Sequence, residues 1–393
     1  MCWCYSNNTL FTENNNGRLH KNIIMKLIKT VDAEGAVLCH DITQIIKGVT
    51  KDAVFRKGHV VTKEDIPVLL SVGKDQLYVW EKEEGMLHEN DGAEILCAMC
   101  KGEHMERSQA KEGKIELTAA CDGLLKVDNK GLKAVNGFGQ MMIATRHGNF
   151  AVKKGDKLAG TRIIPLVIEE EKMTKAKEAA MAATGNKPIL NLLPFKHKKV
   201  GIVTTGNEVF YGRIKDTFTP VIEGKLAEFD TEIIDHVTWN DDDTKVTASI
   251  LDMIHKGADP ERVTGFIMEL LDLGADLILC SGGMSVDPDD KTPLAIKNTG
   301  ADIVSYGAPV LPGAMFMLAY YQVTEGDDTR TVAIMGLPGC VMYAKRTIFD
   351  LVLPRVMADD KVTAEELAAL GLGGLCLNCP VCTFPNCGFG KGV

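Results

Sequence analysis

The stretch Asp276-Leu-Ile-Leu-Cys-Ser-Gly-Gly-Met-Ser-Val-Asp-Pro-Asp-Asp290 decides the fold that this sequence predicts. Its first part, residues 276–280, is a short apolar run, which is typical of a strand buried on both faces of a sheet. The part that follows is rich in Gly, Ser and Asp, as expected of a loop at the end of a strand. Ligands of α/β sheets bind at the carboxyl ends of the strands, so the stretch predicts a binding loop.

Strands and helices alternate on both sides of this stretch. Strands are expected at residues 199–204, 231–237, 276–280, 302–306, 315–321 and 331–335, and helices at 217–229, 245–255, 291–298 and 340–356. This alternation predicts an α/β domain with a mainly parallel sheet covered by helices on both faces. The segment 260–272 lies between two copies of Gly-Ala-Asp and is predicted to be an inserted extra helix.

Two more loops are expected at the same edge of the sheet. They are Thr204-Thr-Gly-Asn-Glu208, after the first strand, and Gly336-Leu-Pro-Gly339, before the last helix. Glycine lets a ligand approach the backbone closely, and free N–H groups at a helix start suit an anion. The carboxylates of Glu208 and Asp290 could bind Mg²⁺ beside a phosphate. One such loop would be an ordinary turn, but three at one edge predict a binding site.

In their order and spacing, the three loops resemble those of the molybdopterin-binding domain shared by the Mog/MoaB adenylyltransferases and the MoeA molybdotransferase. The resemblance covers residues 196–357 apart from the insertion. Residues 25–190 are similar, more loosely, to the front of a MoeA-like subgroup, through Asp41-Ile-Thr, Phe55-Arg-Lys-Gly-His and Ala159-Gly-Thr-Arg-Ile-Ile-Pro-Leu. The resemblance implies a three-layer α/β/α MogA-like domain, preceded by a mixed α+β, β-rich N-terminal region.

The resemblance also implies roles for individual residues. The catalytic and Mg²⁺-binding carboxylates would be those of Glu208 and Asp290. The residues that would bind the pterin and its phosphate are Thr205, Gly206, Asn207, Ser281, Gly282, Gly283, Met284, Ser285 and Asp287. The remaining walls of the site would be formed by Pro312, Gly313, Gly336, Pro338 and Gly339.

The sequence departs from the MoeA pattern at several points. Asn207 replaces the commoner Asp, Ala314 stands where Lys is usual, and Cys340 stands where Asn is usual. The chain has no Asp-Gly-Tyr-Ala motif, and no counterpart of the MoeA C-terminal β-domain is expected after Met357. The resemblance therefore favours molybdopterin binding more strongly than molybdate insertion.

Four of the 12 cysteines cluster near the end of the sequence, in the pattern Cys376-x-x-Cys379-x-x-Cys382-x-x-x-x-Cys387. Four thiolates at this spacing could ligate one Zn²⁺ ion or one iron–sulfur cluster. The last spacing differs from that of bacterial ferredoxins, but the redox setting of molybdenum enzymes favours the cluster. The alternative is four unligated cysteines on a flexible tail.

A second group, Cys97-x-x-Cys100 with His104 and Cys121, could form another metal site. Scattered core cysteines are the favoured interpretation of this group, because Cys is often buried as a small apolar residue.

Composition narrows the class of protein. The net charge of −9 argues against nucleic-acid binding, and no apolar run reaches the length of a membrane span. Residues 1–24 lack the features of a secretory signal, so we expect a disordered extension, or sequence translated from too early a start codon, and a cytoplasmic protein. The predicted division is an extension at 1–24, a MoeA-like region at 25–190, the molybdopterin-binding domain at 191–357 and a Cys-rich tail at 358–393.

The leading functional hypothesis is a molybdopterin-binding protein of molybdenum cofactor biosynthesis. It would assist the Mg²⁺-dependent insertion of molybdate into molybdopterin or its adenylylated form, and family members suggest a homo-oligomer. One alternative is a non-catalytic carrier or sensor of the cofactor, with the tail as its metal-binding element. Another is a CinA-like phosphohydrolase that acts on a nucleotide.

Overall fold

The computed structural model describes residues 9–13, 19–46, 50–80, 85–205, 215, 217–237, 260–284, 291–326 and 328–392. Their buried apolar side chains form separate cores, one within residues 33–79, one within 93–192 and two on the faces of a sheet that begins at Lys198. In the described ranges, no helix has the length and apolar character needed to cross a membrane.

The first unit consists mainly of antiparallel strands. Its elements are β1 (Thr9–Glu13), β2 (Leu19–Lys29), β3 (Val37–Leu38), β4 (Ile42–Ile46), β5 (Thr50–Phe55), α1 (Asp65–Ser71) and β6 (Gln76–Trp80). One sheet has the strand order β1-β2-β6-β3, and β4 pairs with β5. The expectation of no regular structure before Met25 was wrong, because β2 begins at Leu19 and pairs with β1.

The second unit is a mixed α+β structure. Its elements are β7 (Met86–His88), α2 (Glu89–Cys100), β8 (Met105–Arg107), β9 (Lys114–Ala119), β10 (Gly123–Val127), α3 (Asn129–Asn136), β11 (Met141–Thr145), β12 (Phe150–Val152), β13 (Lys157–Ile163), β14 (Val167–Glu169), α4 (Glu170–Thr184) and β15 (Leu190–Pro194). Residues Leu190–Pro194 form the last strand of this unit, β15. This strand pairs with β10 and buries Leu190 and Leu192 in the core of the second unit. We therefore propose that the boundary of this unit lies after Pro194.

The third unit is the predicted α/β domain. Its elements are β16 (Lys198–Thr204), α5 (Thr219–Leu226), β17 (Thr231–Val237), α6 (Pro260–Asp272), β18 (Leu277–Ser281), α7 (Thr292–Asn298), β19 (Asp302–Tyr306), β20 (Met317–Glu325), β21 (Asp328–Leu337) and α8 (Ile348–Met357). The sheet has the order β17-β16-β18-β21-β20-β19. The first four strands are parallel, and β20 and β19 continue the sheet in antiparallel pairs.

Alternate residues of the central strand β18 enter two different cores. Leu277 and Leu279 pack with α5 and α8, whereas Ile278 and Cys280 pack with α6 and α7 on the opposite face. A strand that is apolar on both faces lies in the middle layer of three, as the sequence predicted. The predicted helix at 245–255 lies outside the described residues, but the helix predicted at 260–272 is α6.

The C-terminal segment packs against this domain. It begins with the short helix α9 (Ala364–Ala369), and Leu375 then forms a parallel bridge with Leu311. Phe389 is 4% exposed and belongs to the same core as α8. The side chains of Lys126 and Arg355 both reach the carboxylate of Asp360, which links this segment to the second unit and to α8.

Candidate functional site

The carboxyl ends of three neighbouring strands define one edge of the six-stranded sheet. Thr204, Ser281 and Leu337 lie opposite one another on β16, β18 and β21. The loops that follow these residues therefore leave the sheet along one line. Because β20 is antiparallel and Met317 lies opposite Gly336, the connection that contains Pro312 and Gly313 lies at this edge as well.

The structure thus brings together every predicted pterin-binding residue that it describes. These are Thr205, Ser281, Gly282, Gly283, Met284, Pro312, Gly313, Gly336, Pro338 and Gly339. The other predicted site residues lie outside the described residues, namely Gly206, Asn207, Glu208, Ser285, Asp287 and Asp290. The described site consists of backbone, hydroxyl groups and apolar side chains.

Thr292, the first residue of α7, connects the first two loops. Its Oγ1 atom lies 3.0 Å from Oγ1 of Thr205 and donates to the carbonyl oxygen of Gly282 at 2.9 Å. Its backbone N–H donates to the carbonyl of Gly283. The backbone N–H of Thr205 in turn donates to the carbonyl of Ser281 at 2.8 Å. Sequence reasoning missed Thr292, although Thr-Pro at the start of a helix was a signal that could have drawn attention to it.

The paired glycines of the second loop are required by its contact with the first loop. Gly282 has a φ of +81°, and a Cβ atom there would lie 1.6 Å from the carbonyl oxygen of Thr205. Gly283 has a φ of +54°, and its Cβ would lie 2.9 Å from Oγ1 of Thr292. Only glycine combines this backbone conformation with so close an approach. The pair was expected to make room for a ligand, but it also lets the two loops cross.

Met284 has a structural role that the sequence did not predict. Its side chain is buried, and a Cβ atom on Gly336 would lie 2.5 Å from its terminal methyl carbon. The hydroxyl of Tyr306 donates to the carbonyl of Met284 at 3.2 Å. The side chain of Met284 therefore fills the space beside β21, which leaves only its backbone for a ligand.

The third loop does not lead directly into a helix, as was predicted for residues 340–356. A 3-10 helix at Gly339–Met342 comes first, and α8 begins only after Thr347. Thr347 and Asp350 form a capping box, in which the N–H of Thr347 donates to the Asp350 carboxylate at 2.7 Å. This cap determines where the helix starts. Gly339 is exposed and a Cβ atom there would meet nothing within 4 Å, so this face of the loop is open.

The connection that contains Pro312 and Gly313 forms a further wall beside the three loops. It is attached to both α8 and the C-terminal segment. The carbonyl of Pro312 accepts a hydrogen bond from the N–H of Ile348, and a Cβ atom on Gly313 would lie 2.5 Å from the Ile348 side chain. On its other side, Leu311 donates to the carbonyl of Gly374 and accepts from the N–H of Cys376, both at 2.8 Å.

Two cations near this wall, Arg346 and Lys225, are paired with the same carboxylate. Arg346 donates to the Asp350 carboxylate at 2.9 Å, and Lys225 donates to the same carboxylate at 2.6 Å. Burial opposes the charge of Arg346, but the attraction of Asp350 outweighs it and raises the pKa of the guanidinium. Ala314 is exposed on the same connection as Pro312, so the position where MoeA proteins carry Lys holds no charge here.

Residues 201–358 match the model of a family described as a probable molybdopterin binding domain. These residues form a domain of that family. The match spans the sheet and all the described loops of the site, and it confirms the fold that the loops predicted. Residues 27–81 match a second family, described as a domain of unknown function (DUF8806), and this match covers the first structural unit from the end of β2 through β6. No curated protein matches the sequence.

Several solved structures are similar to the molybdopterin-binding domain. The molybdopterin biosynthesis enzyme MoaB of Thermus thermophilus is 20% identical, with 40% of this chain and 91% of that chain covered and a TM-score of 0.27. The tungsten cofactor synthesizing protein MoaB of Pyrococcus furiosus is 16% identical over 42% and 89%, with a TM-score of 0.27. The molybdopterin biosynthesis moeA protein of Pyrococcus horikoshii is 13% identical over 70% and 79%, with a TM-score of 0.24. Likenesses this distant carry no conclusion about activity.

The four tail cysteines lie beside the molybdopterin-binding domain and line one cavity of about 360 Å³, together with Pro312 and Arg346. Their thiols are free. In the part of the chain that the structure describes, no three His, Cys, Asp or Glu side chains are arranged to hold a metal ion.

Cys97 and Cys100, by contrast, are buried in the core of the second unit, where burial raises the pKa of Cys100 to about 12. Both side chains pack among apolar neighbours of this core. The structure therefore supports the interpretation that the sequence favoured, in which Cys97 and Cys100 are small apolar residues of the core.

Proposed function

We propose that the domain at residues 201–358 binds molybdopterin, or its adenylylated form, at the carboxyl edge of its sheet and assists the insertion of molybdate. One observation carries the proposal: Thr205, Gly282 and the 336–339 loop follow adjacent strands that end in register. Backbone N–H groups of three such loops can surround the pterin and its phosphate at little cost, because the scaffold already fixes them.

Mg²⁺ belongs to the same proposal. The resemblance assigns it to the carboxylates of Glu208 and Asp290, which directly follow loops whose starts are held together through Thr292. One or two carboxylates plus ligand phosphate oxygens are a usual environment for Mg²⁺. Bound there, the ion would neutralise charge on the phosphates. The homo-oligomer implied by the resemblance is also part of the proposal.

A carrier or sensor of the cofactor is the second candidate. The observation that favours it is the exposed Ala314 beside a wall whose Arg346 is already paired with Asp350. A lysine at position 314 would add a positive charge that attracts the molybdate anion, and Ala314 adds none.

The two candidates differ in turnover. Purified protein is mixed with adenylylated molybdopterin, Mg²⁺ and molybdate, and nucleotide release and molybdenum insertion are followed together. An enzyme releases the nucleotide and inserts the metal many times per chain. Tight binding without turnover would instead identify the carrier. If the protein binds no pterin but cleaves dinucleotides, both candidates are wrong and a CinA-like hydrolase takes their place.

A Gly339→Val variant tests where the pterin binds. Gly339 faces open space, so the new side chain meets nothing within the protein and projects from the open face of the loop. The proposal requires pterin affinity to fall while thermal stability stays close to that of the parent. Gly224→Val, at an uncrowded position in α5 outside the site loops, is the matched control and should leave affinity unchanged.

A further inference from the structure

The four tail cysteines are held on a folded frame. The aromatic ring of Phe384, between Cys382 and Cys387, lies 5.7 Å from that of Phe150 and 6.2 Å from that of Phe389. The N–H of Cys376 donates to the carbonyl of Leu311. Full burial of one Phe side chain stabilises a fold by about 1.5–3 kcal/mol, so these contacts suffice to order a short segment. These contacts favour an ordered segment over the flexible tail that the sequence left open.

All four cysteines face a common space. Cys376, Cys379, Cys382 and Cys387 line one cavity of about 360 Å³, although they are spread over 12 residues of sequence. Cys376 and Cys387 also contact the core, whereas Cys379 and Cys382 are exposed. Exposed free thiols are readily oxidised, so a set of four around one space is poorly explained as packing.

The arrangement of the thiols distinguishes between ligands. A single Zn²⁺ ion needs all four sulfur atoms at about 2.3 Å from one point. In a [4Fe–4S] cluster each cysteine binds a different iron, so the thiolates surround a larger body. The cavity of about 360 Å³ has more room than a single ion needs, which favours the cluster.

Positive charge accompanies the thiols. The ammonium group of Lys345 donates to the carbonyls of Cys379 and Pro380, at 3.1 and 2.8 Å. The guanidinium of Arg346 lies 4.9 Å from the centre of the Phe384 ring. A [4Fe–4S] cluster with four thiolate ligands carries a net negative charge, which nearby cations stabilise. Both cations line the cavity itself.

We propose that Cys376, Cys379, Cys382 and Cys387 ligate one [4Fe–4S] cluster in this cavity. Each thiol loses its proton to solvent as its sulfur binds an iron, and no electron is transferred in the step. The cavity shares Pro312 with the candidate pterin site, so the cluster lies beside that site. The proposal does not depend on what the pterin site does.

The test uses the full chain, purified without oxygen and then incubated with sulfide and with equal amounts of Fe²⁺ and Fe³⁺, which supply the two ferrous and two ferric irons of the oxidised cluster. We expect about four irons and about four sulfides per chain, with broad visible absorption that bleaches on reduction. Cys379→Ser and Cys382→Ser, at exposed positions where folding is least affected, should lose most of the iron and the absorption. Cys121→Ser is the matched control: this half-buried cysteine lies outside the cavity and its loss should change neither.

Other outcomes overturn the proposal. One zinc per chain that disappears in the same variants would show a single-ion site. No bound metal, with all variants folded by circular dichroism, would show that the cysteines do not form a metal site. Equal loss of iron in Cys121→Ser would show that the iron is bound elsewhere or adventitiously.

Discussion

The hydroxyl oxygens of Thr205 and Thr292 lie 3.0 Å apart although 87 residues separate them in sequence. Thr205 follows the strand β16, and Thr292 begins the helix that leaves the second loop. A single side chain therefore positions two loops of the candidate site relative to each other. Hydroxyl groups of this kind act by fixing backbone atoms and need not touch the ligand.

Replacement of Thr292 by Val should loosen both loops. The change keeps the shape of the side chain but removes the bonds to Thr205 and Gly282, so we expect a loss of about 1–3 kcal/mol in the free energy of unfolding. Pterin affinity should fall about tenfold, which corresponds to about 1.4 kcal/mol. Urea unfolding and pterin titration measure the two effects. Thr174→Val, at an exposed position in α4, is the control and should change stability by less than about 0.5 kcal/mol. Unchanged affinity in Thr292→Val would contradict the positioning role.

Substitution of Gly282 by Ala should be far more damaging. The new Cβ would overlap the carbonyl oxygen of Thr205 and force a non-glycine residue into a positive φ, so the crossing of the two loops cannot be kept. We expect loss of pterin binding and a lower melting temperature. Gly265→Ala is the matched control, because Gly265 lies exposed in α6 with nothing within 4 Å of a Cβ. That change should stabilise the protein by about 0.5–1 kcal/mol. Equal effects of the two substitutions would show that the clash is relieved by local movement.

The sequence predicted the sheet and the loops along one of its edges because both depend on local patterns. Apolar runs such as 277–280 mark buried strands, and glycine loops mark their ends. It did not predict β15, since the short run at 190–194 is flanked by prolines and resembles a linker until it pairs with β10. Nor could it predict the contact of Thr205 with Thr292 or the burial of Met284 against Gly336, which depend on residues that only the folded sheet brings together.

Asp350 connects the site wall to the buried start of α8. Its carboxylate caps the helix and accepts from both Lys225 and Arg346, with only 3% of the side chain exposed. Asp350→Asn leaves Lys225 without this counter-charge and leaves Arg346 with only the carboxylate of Glu228 at 3.8 Å, so we expect a loss of about 3–5 kcal/mol in unfolding free energy. Glu171→Gln is the comparison, because it breaks a solvent-exposed pair with Lys175 and should leave the urea midpoint almost unchanged. Similar costs for the two substitutions in urea unfolding would show that the buried pairing contributes little.

His88 should make the junction of the first two units sensitive to acid. Its Nδ1 accepts from the N–H of Asn90 at the start of α2, and its Nε2 lies 3.0 Å from the carbonyl oxygen of Gly58. Burial lowers the pKa of His88 below its usual value, more than Gly58 and Asp91 raise it.

The folded protein therefore binds this proton less readily than the unfolded chain. The contribution of neutral His88 to the free energy of unfolding is fully present above the pKa of the unfolded chain, about 6.5. It is lost as the pH falls toward the lower pKa of His88 in the folded protein. Hydrogen exchange at the first turn of α2 should accelerate, relative to the rest of that helix, between about pH 7.5 and about pH 5.5. Asn can cap a helix but does not titrate, so His88→Asn should remove this pH dependence. If the wild-type protein and the variant respond equally to acid, the sensitivity lies in another group.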